Sequence, residues 1–588
     1  MQQRSDFLVP PGFQNFPAPV LEALKKFTGL DVLNGLLRQA STAGDRDSRA
    51  FSVRLLDALQ IRFSAAPEDL RRIPQTGPVV VVANHPSGIL DGVVIDALLR
   101  EVRQDIKILA NSLLGSVPES SENCILVDVF EGGASKNSRA IVDSIQWLRK
   151  GGMLVVFPAG VVSAWDWKRS SVTDTMWNTM PARLAAKTGA AVVPIFFGGQ
   201  NSVPFHLAGM VHPLLRTARL PAELINRRGT SVEVRIGSKI AATELKTFSS
   251  AEEQTEYLRT RTYLLRHRRT AFAQMATQFA PIDSTPLPGL AAEVLALQPE
   301  SKLAEQGGFT AYLARARQIP GILTEIGRLR EAAFRAAGEG TGNAADIDSF
   351  DLDYEHIFLW NEQKQEVAGA YRLARTSLIL QKRGIEGLYT NTLFRFDPRF
   401  FRDLGPAIEL GRSFVRIEYQ KDFAPLLVLW RAITRYAANH PDHPMLFGAV
   451  SISSDYSLPS LQMIHEYWTR HSESDPLRRL VRPRRPFRSM PLPLGNAAEL
   501  KSIAALIHSA DALSNVIKEI EGKGAPVLLR QYAKLGGRIL AFHVDKSFGD
   551  CLDGLILVDL READRNSLAR HMGEDRLRVF LGYHGLNA

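Results

Sequence analysis

A chain of 588 residues is too long for one ordinary domain and points to two. Hydrophobic residues at 45% and charged residues at 23% are globular proportions that give each domain a core. The net charge of +9 asks for anionic partners, a phospholipid surface or an acidic carrier protein; nucleic acid comes last, since no zinc-finger spacing or aromatic RNA-binding signature accompanies it.

No run of about 18 apolar residues escapes interruption by charges or breakers, so no membrane span is expected. The opening MQQRSDFLVPPGFQNFP lacks an apolar core of signal-peptide length. Two distant cysteines, Cys124 and Cys551, make neither a disulfide framework nor a metal cluster and fit a reducing cytosol.

Periodicity predicts amphipathic helices near Ala18–Gln39 and Arg49–Leu59. GPVVVVANHPSGILDG then reads as a buried strand broken by Asn-His-Pro, with helical spacing resuming over Val93–Arg103. Further strands are predicted at Ile106–Ala110, Met153–Phe157 and Ala190–Phe197, with helices at Ser135–Lys150 and Ala251–Arg269. Strands alternating with helices give an α/β layered fold for a domain over 1–279. The proline-bearing stretch 280–306 is expected to be a linker. The second domain, 307–588, opens with a helix at Ile319–Ala337. Strands follow at His356–Trp360, Val367–Ala374, Arg412–Ile417, Leu446–Ile452, Ile539–His543 and Gly554–Asp559, with a helix at Leu426–Ala438.

In the first domain, His85 stands at the end of a buried strand, six residues before Asp91. A histidine there can act as a general base for a hydroxyl, and a carboxylate can fix its tautomer. The same residues also suit a structural histidine capping the strand. Three further segments bear on the choice: Ile125–Gly133 (ILVDVFEGG), Phe157–Ser163 (FPAGVVS) and Val192–Ser202 (VVPIFFGGQNS). In this order, over Gly77 to Gly237, the four blocks resemble the glycerolipid acyltransferase family, which acylates lysophosphatidate and related lysolipids. The resemblance implies that His85 is the general base and Asp91 its partner. It implies that Asn84, Phe157, Pro158, Gly160 and Ser163 help bind substrate. Two departures stand out. Five residues separate His85 from Asp91 where four are usual, and Ala159 replaces the glutamate of an FPEGTRS-like block that here lacks its arginine. The variant is similar to a subgroup of ornithine-lipid O-acyltransferases. Phe205–Arg228 mixes apolar residues with Arg216, Arg219, Arg227 and Arg228, and suits either a lipid interface or a core helix with a solvated basic face.

In the second domain, Glu409 precedes an expected strand and suits either a general base for an amine or a salt-bridge partner. The segments Leu329–Gly342, Asp351–Trp360, VAGAYRL, ELGRSFV, Leu426–Ile433, Pro526–Leu540 and Phe548–Leu560 together resemble the ornithine N-acyltransferase family, whose fold is similar to the acetyltransferase and autoinducer-synthase group. The likeness spans Gly321 to Leu560. It implies transfer of a hydroxylated acyl group from acyl carrier protein to an amino-acid amine, with Glu409 as base and Arg412 and Ser413 in substrate binding. Tyr419–Pro425 carries no glycine to cradle a coenzyme A pyrophosphate, which suits a carrier-protein donor. The arginine run of Arg478, Arg479, Arg482, Arg484, Arg485 and Arg488 reads as a solvated loop or as a docking patch for an acidic carrier protein or anionic lipid.

Both halves together resemble the bifunctional ornithine lipid synthase family. The resemblance implies N-acylation of ornithine by the second domain and O-acylation of the resulting lyso-lipid by the first. Acyl carrier protein, through its phosphopantetheine thioester, would be the donor, with no metal or other cofactor. The enzyme would be cytoplasmic, peripheral on the inner face of the membrane. Two alternatives stay open: a lysophospholipid acyltransferase active only in its first half, or a synthase using another amino acid.

Overall fold

A computed structural model describes residues 28–42, 47–111, 123–127, 138–166, 171–211, 213–268, 288–488 and 507–586. The described chain separates into two units, one ending at Arg268 and one holding the later described residues.

The first unit is built on Val79–Val82, four β-branched residues in a row, followed by Ala83, all buried. A strand buried on both faces calls for such a run, each valine contributing about 1.5–3 kcal/mol. The strands are β1 (Arg62–Ser64), β2 (Val79–Ala83), β3 (Ile106–Asn111), β4 (Cys124–Val127) and β5 (Met153–Val156). They continue with a small hairpin of β6 (Ala164–Asp166) and β7 (Ser171–Thr173), then β8 (Ala191–Phe197) and β9 (Ser231–Ile236). The main sheet runs β1-β9-β8-β2-β5-β3-β4. It is parallel from β8 through β4, and β9 runs antiparallel to β8. Leu90, Val94, Leu98 and Leu99 of the helix Ile89–Arg100 join its core.

At the strands' N-terminal ends, the buried Arg103 gathers loose backbone. Its guanidinium donates to the carbonyls of Pro74 (3.2 Å), Gly77 (2.8 Å) and Gly151 (2.7 Å), and pairs with Asp105.

The second unit holds β10 (Lys302–Gln306), β11 (Phe309–Arg315), β12 (Glu355–Asn361), β13 (Glu366–Arg375), β14 (Phe394–Phe396), β15 (Ala407–Val415), β16 (Met445–Ile452), β17 (Val481–Pro483), β18 (Arg538–Asp545) and β19 (Cys551–Asp559). Its main sheet runs β10-β11-β12-β13-β15-β16-β19-β18. Every neighbouring pair is antiparallel except β15 and β16. That parallel pair needs a crossover, which the helix Ala424–Asn439 supplies. Gly448 permits a close approach: a Cβ there would sit 2.0 Å from the Leu410 carbonyl oxygen. The ladder between β15 and β16 ends at Leu410 and Gly448. Beyond it β15 bulges against β13, where Gly411 and Phe414 face Arg372 and Ala370, and Arg412 takes φ +50°.

Mixed α/β architecture in both units agrees with the sequence expectation. Two details differ. Residues 288–306, expected as linker, contain the helix Leu290–Leu295 and β10, so the second unit begins earlier than 307. Leu290 and Val294 pack into its core, an apolar pair too short to show a period. The strand expected from Arg412 starts at Ala407, which places Glu409 inside it.

Candidate active sites

In the first unit, β2 stops at Asn84-His85-Pro86 because proline carries no N–H for the ladder. Gly88 then turns the chain at φ +73° into the helix Ile89–Arg100, and a Cβ there would lie 2.8 Å from Leu220. This turn brings His85 Nδ1 to 3.1 Å from Asp91 Oδ2. The same oxygen accepts from the backbone N–H of Ser87 (2.8 Å) and of Gly88 (3.0 Å). Asp91 is 1% exposed, and burial raises its pKa against these hydrogen bonds. Phe157 stacks on the imidazole with centroids 4.2 Å apart. Nδ1 being engaged, Nε2 is the ring nitrogen left for a substrate.

His85 lines a cavity of about 830 Å³. Its wall is largely apolar, including Ile89, Ile108, Ile145, Val162 and Phe205, with Arg183, Lys187 and Arg216 as its cations. Such a space suits a fatty acyl chain with a polar end.

Of the expected binding residues, Phe157 and Gly160 line this cavity. Asn84, Pro158 and Ser163 are not in its wall. The Asn84 amide is spent on β8, donating to the Phe197 carbonyl (3.0 Å) and accepting the Phe197 N–H (2.7 Å). Pro158 offers its carbonyl to Asn178. Ser163 donates its N–H to the His85 carbonyl (2.9 Å) and its hydroxyl to Asp174. These three hold the loops. Asp174 escaped sequence reasoning: it is 3% exposed and also accepts from the His85 N–H (3.2 Å) and Trp177 Nε1 (2.8 Å). An aspartate among threonines carries no sequence signal of that role.

In the second unit, a cavity of about 100 Å³ opens where β15 and β16 part. Arg412 and Ser413 line it, together with Glu339, Tyr371, Tyr389, Asp545 and Asp553. Glu409 does not line it. The Glu409 carboxylate is 2% exposed and accepts from the Tyr354 hydroxyl and the Thr390 N–H (2.7 Å). Burial raises its pKa. The side chain sits between β15 and the Leu388–Thr390 turn, away from the cavity where a base for the amine was expected. Beside the cavity, Arg330 pairs with Asp346 and Asp351, and Arg372 with Asp348 and Asp351.

Comparison with known proteins agrees with both halves. Residues 17–271 match the family described as Acyltransferase, and residues 329–431 match the Acetyltransferase (GNAT) domain. The chain is 30% identical over 277 residues to the glycine N(alpha)-acyltransferase of Bacteroides thetaiotaomicron, covering 44% of this chain and 80% of that protein. The protein of that name in Phocaeicola vulgatus is 29% identical over 275 residues, 44% of this chain and 83% of its own length. The lyso-glycine lipid O-acyltransferase of Bacteroides thetaiotaomicron is 24% identical over 263 residues, 44% of this chain and 93% of its own. Fold and site thus define an acyltransferase that joins an acyltransferase domain to a GNAT domain. In particular, the chain belongs to the family that includes the Bacteroides glycine N(alpha)-acyltransferase.

Proposed function

We propose that this chain makes an amino-acid lipid in two steps. The second unit transfers a 3-hydroxyacyl group from acyl carrier protein to the amine of ornithine. The first unit then acylates the hydroxyl of the resulting lyso-lipid. The observation that carries this reading is the pairing of relatives: two separate proteins of one organism, named for N-acylation of glycine and for O-acylation of lyso-glycine lipid, both resemble this one chain. Their names favour a second reading in which glycine is the amino acid.

In the first unit, Asp91 holds His85 with Nδ1 protonated, so Nε2 accepts the proton of the lyso-lipid hydroxyl. The oxygen attacks the thioester carbonyl, an ester forms and the thiol leaves. The apolar cavity accommodates the tails. An approach to a membrane surface is supported by the helix Val203–Val211, which exposes Val203, Leu207 and Met210 while burying Phe205 in the cavity wall. No helix among the described residues is long and apolar enough to cross a membrane. The run from Arg478 to Arg488 supports docking of an acidic carrier protein, an association that salt weakens.

The test is to express the chain in a bacterium lacking amino-acid lipids and analyse lipid extracts by mass spectrometry. A diacylated ornithine lipid is the expected product. A glycine lipid selects the second reading, and an unchanged lipid profile with acylation of lysophospholipids alone overturns both.

A further inference from the structure

The two cavities differ in chemistry. That of the second unit, about 100 Å³, is far smaller than the other and suits a small polar molecule rather than an acyl tail. Three carboxylates line it: Glu339, Asp545 and Asp553. Among the described residues none of the three has a cation within ion-pair distance; Lys523 pairs with Asp455, and Arg412 lies 3.4 Å from Asp346. The Arg412 guanidinium is steadied by the Tyr389 and Phe548 rings, each 4.9 Å away, and its Nε makes no hydrogen bond. Its left-handed backbone, at the bulge of β15, is a strain that bulky residues tolerate only when the surroundings enforce it.

A second observation points to a ligand. Tyr371, 3% exposed, lines the same cavity beside Ser413 and Tyr532, yet its hydroxyl makes no hydrogen bond of proper geometry. A buried hydroxyl held only by loose contacts with two other hydroxyls keeps hydrogen-bonding capacity for a ligand.

We propose that this cavity receives the amino-acid substrate, with its ammonium at Asp553 and Glu339 and its carboxylate at Arg412, and that Asp553 is the base that frees the amine. The assignment rests on the reading of the second unit as an amino-acid N-acyltransferase. The ammonium gives one proton to the Asp553 carboxylate and gains a lone pair. The nitrogen attacks the thioester carbonyl, a C–N bond forms and the C–S bond breaks. The second N–H proton goes to the departing thiolate, the third stays on the amide, and Asp553 returns its proton to solvent.

The groups around Asp553 favour this exchange. Burial pushes its carboxyl up to about 7, helped by Asp545 and opposed by the Ser451 hydroxyl (2.7 Å), Cys551 and Arg412. Burial, then Asp553 and Asp455, push Glu339 up to about 8, against Arg412 and Lys523. Tyr389 also faces Asp553 and Asp545. A base with a pKa near 7 both takes and returns a proton at neutral pH.

The experiment uses the full chain with ornithine or glycine and a 3-hydroxyacyl carrier protein. Asp553→Asn is expected to lower kcat of N-acylation about a hundredfold and to remove the acid limb near pH 7 from the kcat/KM profile. Asp553→Glu should restore part of both. Arg412→Gln should raise the KM for the amino acid at least tenfold, with a smaller fall in kcat. It should also erase the preference for ornithine over putrescine, which lacks the carboxylate. Thermal unfolding of each variant reports whether it is folded. A folded Asp553→Asn protein with the wild-type rate and pH profile, or a folded Arg412→Gln protein that still prefers ornithine to putrescine, overturns the proposal. An active wild type with indifferent variants leaves the N-acyltransferase reading standing, whereas a wild type inactive on both amino acids removes that reading too.

Discussion

His85 and Asp91 meet at 3.1 Å across a helix start, and the carboxylate oxygen that meets the imidazole also accepts the Ser87 and Gly88 N–H groups. The aspartate is therefore locked before the histidine uses it. An asparagine that keeps its oxygen for these groups still meets Nδ1 but puts an NH₂ at the buried position where Oδ1 has no partner, and loses the charge that stabilises the imidazolium. Asp91→Asn is expected to lower O-acylation roughly a thousandfold or more. His85→Ala should abolish it and let a singly acylated lipid accumulate. Turnover of synthetic lyso-lipid, with mass spectrometry of the products, checks both; diacylated lipid at wild-type levels from His85→Ala would refute the assignment.

Ile145, on the helix Ser138–Arg149, lines the large cavity. An indole in its place takes space from an acyl tail. Ile145→Trp is expected to shift the preferred acyl group toward shorter chains without loss of turnover on those it still accepts. Competition between donors of different chain length measures this, and an unchanged preference would show that the tail lies elsewhere.

Asp553 bears on stability with a definite sign. Its carboxyl is raised in the folded state to about 7 from an ordinary 3.8, so the folded protein binds the proton more tightly than the unfolded chain. Stability contributed by this proton is present at low pH. It drains away between about pH 4 and pH 7, and above that the ionised, buried carboxylate is a liability. Asp553→Asn should therefore raise the melting temperature by a few degrees at pH 8 and have little effect at pH 4.5. A variant that melts lower at pH 8 contradicts the sign.

Arg103 satisfies three carbonyls at the start of β2 and β5. Arg103→Met keeps much of the stem and strands those carbonyls. The expected cost is about 3 kcal/mol, seen as a lower midpoint in urea, while turnover by the folded fraction stays near wild type.

The parts legible in sequence were those whose partners are close along the chain. Four valines followed by Asn-His-Pro announce a buried strand and its end, and His85 and Asp91 share one turn. Glu409 shows the opposite case. Its place in a motif reads as chemistry, but β15 begins earlier than periodicity suggests and turns the side chain to Tyr354 and Thr390. Which side chains reach the small cavity depends on a bulge and a left-handed arginine that no spacing rule announces. Asp174 was invisible, and Asp553, though inside the Phe548–Leu560 segment that carries the resemblance, had no role assigned, for a related reason. Partners that define each come from remote segments, His85 for Asp174 and Ser451 for Asp553.

The spread of the small cavity's walls, from Glu339 through Arg412 on β15 to Asp553 on β19, also governs when it comes into being. The His85 turn is local and lies far ahead of β19 in the chain. The acidic cavity waits for β19, which must slot between β16 and β18 before Asp553 is in place. A chain cut before β19 keeps the histidine turn and lacks the wall that Asp553 supplies to the small cavity.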